Sequence, residues 1–130
     1  MSVGFIFFGL IKENDEPFVI EYNCRMGDPE TEVVMPRLKN DLVELFLAVH
    51  NSGLQNIEIA YDERACATVV AVSGGYPGDY KKNITITGLE NITETGDSIV
   101  FHAGTKLQGN SVVTNGGRVL AVTSFGENIG

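Results

Sequence analysis

Residues 17–36 constrain this chain more than any other stretch, because they ask a strand to stop, turn sharply and hand over to a helix within a few positions. Pro17–Asn23 alternates and is rich in β-favouring side chains, which predicts a strand. Gly27 permits a tight turn, Asp28 is a good N-cap, and Pro29 is pre-set for a first helical position. A short helix over Asp28–Met35 is therefore predicted, with its first amides free and favouring an anion. On a strand, residues two apart share a face. Glu21 and Asn23 then project together, joined by Arg25 wherever the extended backbone persists that far. A carboxylate and an amide carbonyl side by side form a hard oxygen pair suited to Mg²⁺, which leaves its other positions to water and phosphate. Arg25 is placed to hold a phosphate or carboxylate in fork geometry. A solvated strand end, with Arg25 paired to Asp28 or Glu30, is the plainer alternative.

The flanking segments extend this pattern. Val3–Ile11 is apolar, β-branched and aromatic, and Lys12–Glu16 is polar, so a hairpin with a five-residue connection is predicted. The first strand is apolar nearly throughout, which implies that both its faces are covered. Two strands alone are marginal, so the hairpin is read as part of a larger sheet. Leu38–Asn51 carries Leu42, Leu45, Phe46 and Val49 at helical spacing, with Gly53 as the stop and His50 as a surface residue near the C-terminus. After Asp62 the texture changes to β-strands at Ala65–Val72, Thr85–Thr87, Ile99–His102, Ser111–Thr114 and Arg118–Thr123, separated by Gly and Asn turns. Hairpin, helices and a mainly antiparallel β module together define an α+β fold class.

Composition narrows the function. The chain has 130 residues, 43% hydrophobic and 20% charged, enough for a core and against disorder. A net charge of −8 excludes binding nucleic acid through a general phosphate-neutralising surface, though not a local basic pocket. Cys24 and Cys66 are too few for a disulfide scaffold. Cys66 lies in an apolar run and is read as a core residue, and Cys24 as facing away from Asn23 and Arg25. The N-terminal apolar run lacks a basic leader and is too short to span a bilayer. The triplets at Asn83 and Asn91 fit the glycosylation pattern and are read as incidental. Gly74-Gly75 is a turn rather than a phosphate loop, since no Gly-Lys-Ser/Thr follows. Gly116-Gly117-Arg118 reads first as a hairpin turn and second as an anion contact, and His102 as a hydrogen-bonded structural residue.

The run E-Y-N-C-R at Glu21–Arg25 resembles the metal-binding strand of ATP-grasp ligases. Its continuation, R-M-G-D-P-E-T-E at Arg25–Glu32 followed by V-V-M-P-R-L, resembles the signature of phosphoribosylamine–glycine ligases, with Met26 in place of the usual Phe and Glu32 where Gln is frequent. S-G-G-Y-P-G-D-Y at Ser73–Tyr80, F-H-A-G-T at Phe101–Thr105 and N-G-G-R-V-L at Asn115–Leu120 match the same family in order, so the resemblance covers nearly the whole chain.

This resemblance implies a ligase that joins 5-phosphoribosylamine to glycine through a glycyl phosphate, splitting ATP to ADP and phosphate in cytoplasmic purine synthesis. It implies Mg²⁺ or Mn²⁺ on Glu21 and Asn23. Arg25 would steady the glycine carboxylate or acyl phosphate, Asp28 and Glu30 would meet a substrate amine, and Gly117 and Arg118 would lie near the cleft as substrate contacts. Many ATP-grasp relatives carry another acid on the preceding strand, facing the metal; the matching part here is apolar, around Phe7 and Phe8. Residues 1–37 are expected to be the end of the ATP-grasp domain, 38–61 a connecting helix and linker, and 62–130 a β-rich C-terminal domain incomplete at its end. The family enzyme is about three times longer, so the chain is read as a fragment, inactive alone, whose Met1-Ser2 is not a natural start. The rival readings are another ATP-grasp carboxylate–amine ligase or carboxylase, against which Gly27–Glu30 argues, and a non-catalytic interaction module, against which the Glu21, Asn23, Arg25 set argues.

Overall fold

The structure, a computed structural model, describes residues 4–92 and 96–129. Met1, Ser2 and Val3, and Thr93 of the second glycosylation triplet, lie outside the described residues. The chain divides between Glu63 and Arg64 into two compact units.

The first unit opens with an antiparallel hairpin, β1 (Phe7–Glu13) and β2 (Glu16–Asn23). Its connection is two residues, Asn14 and Asp15, both at positive φ (50° and 66°), and not the predicted five-residue turn. Short polar side chains tolerate this left-handed region, and the resulting mirror-image turn matches the strands' twist. Pairing therefore runs down to Glu13↔Glu16. The predicted covering of the hairpin is not seen: Leu10 and Ile11, adjacent on β1 and so on opposite faces, are 58% and 55% exposed.

Two α-helices follow among the described residues. The first, α1 (Thr31–Arg37), starts three residues later than predicted and includes Pro36. Its N-cap is Glu30, with no side-chain capping bond, so Asp28 is not the cap and Pro29 is not the first helical residue. The reason lies in Gly27, whose carbonyl accepts from both the Thr31 amide (3.1 Å) and the Thr31 hydroxyl (2.6 Å), closing a separate turn over residues 28–30 before the helix begins.

The second helix, α2 (Leu42–His50), is shorter than the predicted 38–51 because Asp41 caps it, accepting from the Val43 and Glu44 amides at 2.7 and 3.1 Å. Residues 38–40 are instead extended against 58–61. Leu38 bridges Tyr61, the Lys39 amide donates to Ala60 O, and the Asn40 side chain accepts from the Ala60 amide while donating to Glu58 O. Ser52 (φ 54°), not Gly53, takes the left-handed position past α2.

The second unit is all antiparallel. Its three-stranded sheet has the order β3 (Ala65–Val72), β7 (Arg118–Gly126), β4 (Ser98–His102), beside a hairpin of β5 (Thr105–Gln108) and β6 (Ser111–Thr114). β7 places Val119, Ala121 and Thr123 inward at 6%, 3% and 0% exposure, the period-two burial of a strand with one covered face. Val113 from β6 joins them at 3%. Cys66, read as core, is only half-buried and Cys24 is exposed, and neither is in a disulfide.

The predicted strand at Thr85–Thr87 is not formed; only Thr85 bridges β6, at Val113. Residues 83–86 still run along β6, with Asn83 N–H on Thr114 O and Ile86 N–H on Val112 O. Regular pairing fails there because Asn83 sits at φ 61° and the Ile84 amide donates to the Thr114 hydroxyl at 3.1 Å. β5 was not predicted; its sequence, T-K-L-Q, carries one large apolar residue.

Candidate functional site

The end of β2 is ordered by its ladder with β1: Phe7↔Asn23, Phe8↔Tyr22 and Gly9↔Glu21. Directly opposed residues share a face. Glu21, Asn23, Phe7 and Gly9 therefore lie on one side. Phe8 and Tyr22 lie on the other, with their rings edge-on at 5.3 Å. The two oxygen-bearing side chains are thus together as predicted. Of the apolar pair Phe7 and Phe8 read from the sequence, Phe7 faces them and Phe8 does not; Gly9 completes that face, and neither Phe7 nor Gly9 carries a side-chain ligand atom.

Regular strand ends at Asn23, and Cys24 and Arg25 form a bend. The extended backbone that would have aligned Arg25 with Glu21 and Asn23 does not reach it. Arg25 is exposed, and its Nη1 donates to Met26 O at 3.0 Å. Gly27 is buried, and the Glu30 carboxylate lies against its α-carbon, while Asp28 is exposed on the intervening turn. The anion site expected from free helical amides is not present. Thr31 N–H donates to Gly27 O, Glu32 N–H to Pro29 O and Val33 N–H to Glu30 O, so the first three amides of α1 are already paired.

Glu21 is exposed and Asn23 half-buried, so both oxygens can reach an ion without first leaving hydrocarbon. Among the described residues no group of three or more His, Cys, Asp or Glu side chains could hold a metal. The donor set therefore fits a hard cation that keeps most of its coordination for water and phosphate, and does not fit a fully protein-ligated metal.

In the second unit, Gly117 is buried under the ring of Tyr76, and its carbonyl accepts from the Ser73 amide at 2.7 Å. The Asn115 and Gly116 amides turn inward onto Gly104 O, at 2.7 and 3.0 Å, and are not free for an anion. Arg118, exposed at the start of β7, accepts from the Gly104 amide through its carbonyl. A groove of about 790 Å³ opens between the end of β3 and residues 79–86; Asp79, Tyr80 and Lys81 line it, and neither Gly117 nor Arg118 does. His102 Nδ1 is 2.9 Å from the Thr105 hydroxyl, in line with a structural role. Sequence reasoning missed Gly9, although a lone glycine within a bulky strand signals a bulge or a close approach.

The strand that carries Glu21 and Asn23, with the turn and helix after it, is the segment on which the resemblance to ATP-grasp ligases rests. Residues 66–130 match the family model described as phosphoribosylglycinamide synthetase, C domain, and the chain belongs to that family. It is 52% identical over 128 residues to phosphoribosylamine–glycine ligase of Escherichia coli (strain K12), covering 97% of this chain and 30% of that protein. Against the ligase of the same name from Vibrio cholerae serotype O1, identity is 51% over 127 residues, covering 97% of this chain and 29% of the other. A trifunctional purine biosynthetic protein adenosine-3 of Gallus gallus is 49% identical over 128 residues, 98% of this chain and 13% of that one. The crystal structure of phosphoribosylamine–glycine ligase from Thermotoga maritima superposes with a TM-score of 0.70 at 32% identity, over 97% of this chain and 30% of that one. The chain thus spans about 30% of the length of the single-function relatives it matches.

Proposed function

We propose that this chain is the C-terminal part of an ATP-dependent ligase that joins 5-phosphoribosylamine to glycine in cytoplasmic purine biosynthesis, and that it is inactive without the remainder of such an enzyme. The observation that carries this reading is the placement of Glu21 and Asn23 on one face of β2, beside the turn that presents Arg25, Asp28 and Glu30. A carboxylate is a poor acyl donor, because its oxygen leaves badly. Transfer of the ATP γ-phosphoryl group to glycine gives an acyl phosphate, which the amine of phosphoribosylamine attacks with loss of phosphate. Charge gathers on the transferring phosphoryl group, and a bound Mg²⁺ or Mn²⁺ would neutralise it.

Glu21 and Asn23 would hold that ion through their side-chain oxygens. Arg25, freed from its contact with Met26 O by rotation of an exposed side chain, would steady the glycine carboxylate or the acyl phosphate. Asp28 and Glu30 would accept hydrogen bonds from a substrate amine, orienting it for attack. Gly117 and Arg118 are assigned to substrate binding, Gly117, which is buried, through its backbone shape, and Arg118, an exposed residue, through its guanidinium. The domain division follows: 1–37 closes the ATP-grasp part, 38–61 connects, and 62–130 is the C-terminal domain. No helix among the described residues is long and apolar enough to cross a membrane.

The test is turnover of ATP, glycine and phosphoribosylamine by a complete ligase that contains these 130 residues, with Glu21→Ala or Asn23→Ala, beside the 130 residues alone, which should show none. Loss of a metal's outer partners alone costs about 10–100-fold, and loss of a ligand is expected to cost at least that, with a raised Mg²⁺ requirement. Unchanged metal dependence in both variants would remove the basis of this reading.

A further inference from the structure

The register of the hairpin contains one irregularity, and it falls next to Glu21. From the turn upward the pairs are Glu13↔Glu16, Lys12↔Pro17, Ile11↔Phe18 and Leu10↔Val19; then the register shifts and Gly9 pairs Glu21. Ile20 is the extra residue of a bulge. Had the first register continued, Gly9 would face Ile20 and Glu21 would stand opposite Phe8. A one-residue shift changes which face each side chain takes. The bulge therefore moves Glu21 from the aromatic position to the glycine position, on the face it shares with Asn23.

The glycine itself is required by space. A Cβ at residue 9 would lie 2.9 Å from Glu21 Cγ, 3.7 Å from Glu21 Oε1 and 3.6 Å from the Glu21 amide nitrogen. The Cγ contact is closer than side-chain carbons tolerate, whereas the other two are ordinary contacts. Relief does not need the backbone to move, because rotation about the first side-chain torsion of Glu21 carries Cγ away. That rotation also swings the carboxylate. Any residue but glycine at position 9 thus leaves the hairpin intact and re-aims Glu21.

We propose that Gly9 is a positioning residue for the metal site: its bare α-carbon is the floor on which the Glu21 side chain lies, and it fixes the direction in which that carboxylate is offered beside Asn23. The inference rests on the reading of Glu21 as a metal ligand. Gly9 touches neither metal nor substrate and acts only through Glu21.

The test is a double-mutant cycle in the full chain, with Gly9→Ala made alone, with Glu21→Ala and with Glu21→Gln. Two readouts are taken: amide hydrogen exchange of residues 7–23 without metal, which reports opening of the hairpin itself, and the affinity for Mn²⁺ followed by the free-ion signal in electron paramagnetic resonance. Alanine is favoured over glycine in a strand, so Gly9→Ala should slow exchange in the hairpin where no Cγ opposes it, in Glu21→Ala. With Glu21 or Glu21→Gln, which keep Cγ, that slowing should be lost. Mn²⁺ affinity should fall about tenfold in Gly9→Ala with Glu21 present and should not fall further in the Glu21→Ala background. An equal change in hairpin exchange in all three backgrounds overturns the contact. Normal Mn²⁺ affinity in Gly9→Ala, beside weakened affinity in Glu21→Ala, overturns the inference alone. Normal affinity in Glu21→Ala overturns both it and the reading on which it rests.

Discussion

The two units solve the problem of burial differently. In the second, β7 runs between β3 and β4, every strand is paired, and Val113, Val119, Ala121 and Thr123 form a closed interior. In the first, Leu45 is the one apolar residue below a tenth exposed among the described residues, and the hairpin shows apolar side chains on both faces. Phe5 against Phe46 (6.4 Å) and Arg37 over Tyr61 (5.7 Å) are surface contacts, not a core. The candidate ligands sit on the poorly buried unit. Chemistry needs side chains that face solvent and substrate, and a strand that presents them cannot also bury that face against its own chain. The closed unit can carry shape, and the open one must borrow stability from whatever covers it.

The largest effect that would break this contrast is all-or-none. Residues 64–130 produced alone should unfold cooperatively in urea, while residues 1–63 alone should give no sigmoidal transition by circular dichroism. A cooperative transition in the shorter piece would show that hairpin and helices hold themselves up, and the contrast would fail.

Next in size is a substitution inside the closed unit. The loops at 103–105 and 115–118 approach glycine to glycine. A Cβ at Gly104 would meet Arg118 O, and would come within 2.7 Å of Gly116 Cα and 2.9 Å of Gly116 N. All three are backbone atoms, held by the Asn115, Gly116 and Gly104 hydrogen bonds, so no side-chain rotation relieves the clash. Gly104→Ala should cost about 3 kcal/mol, at the upper end of overpacking penalties. Urea midpoints of residues 64–130, with and without the substitution, check it. The same chemical change at Gly9 meets a side chain that can turn, which is why the expected consequence there is a re-aimed carboxylate and not an unfolded strand.

How much of this could be read beforehand follows the same division. Ala65–Val72 and Ser111–Thr114 were legible to the residue, because short runs rich in valine and threonine between turn residues admit little else. The shared face of Glu21 and Asn23 was legible because strand parity is local. The bulge was not: it depends on pairing across the hairpin, and nothing in the order of residues 19–21 states which one is spare. Asp28 misled because its cap signature is sound in isolation, yet Gly27 O captured Thr31 first and moved the helix start. Asp41, an equally good cap, was overlooked because the apolar spacing of 38–51 absorbed it. The inward turn of the Gly116 amide was invisible because its partner, Gly104, is remote in sequence.

A smaller effect is expected at Thr123. It is fully buried, and its hydroxyl donates to Thr68 Oγ1 at 3.0 Å. Thr68 Oγ1 in turn donates to Val122 O at 3.3 Å. Valine keeps the shape and removes the donor, so Thr123→Val should cost about 1 kcal/mol in residues 64–130, within the usual net range of one hydrogen bond. A neutral or stabilising result would mean that packing alone sets the stability of the closed unit.

The smallest effect on global stability is expected in the first unit, at Asp41. Its Oδ1 holds two α2 amides, and losing such a cap ordinarily costs about 1 kcal/mol. That cost reaches the unfolding midpoint only if α2 unfolds together with a cooperative core. α2 buries Leu45 alone, so it can fray without exposing much apolar surface. Asp41→Ala in the full chain should therefore leave the midpoint within error, while amide hydrogens of residues 43–47 exchange faster by about fivefold, the local equivalent of 1 kcal/mol. A lowered midpoint with unchanged exchange would place α2 inside a cooperative unit and erase the distinction between the two halves of the chain.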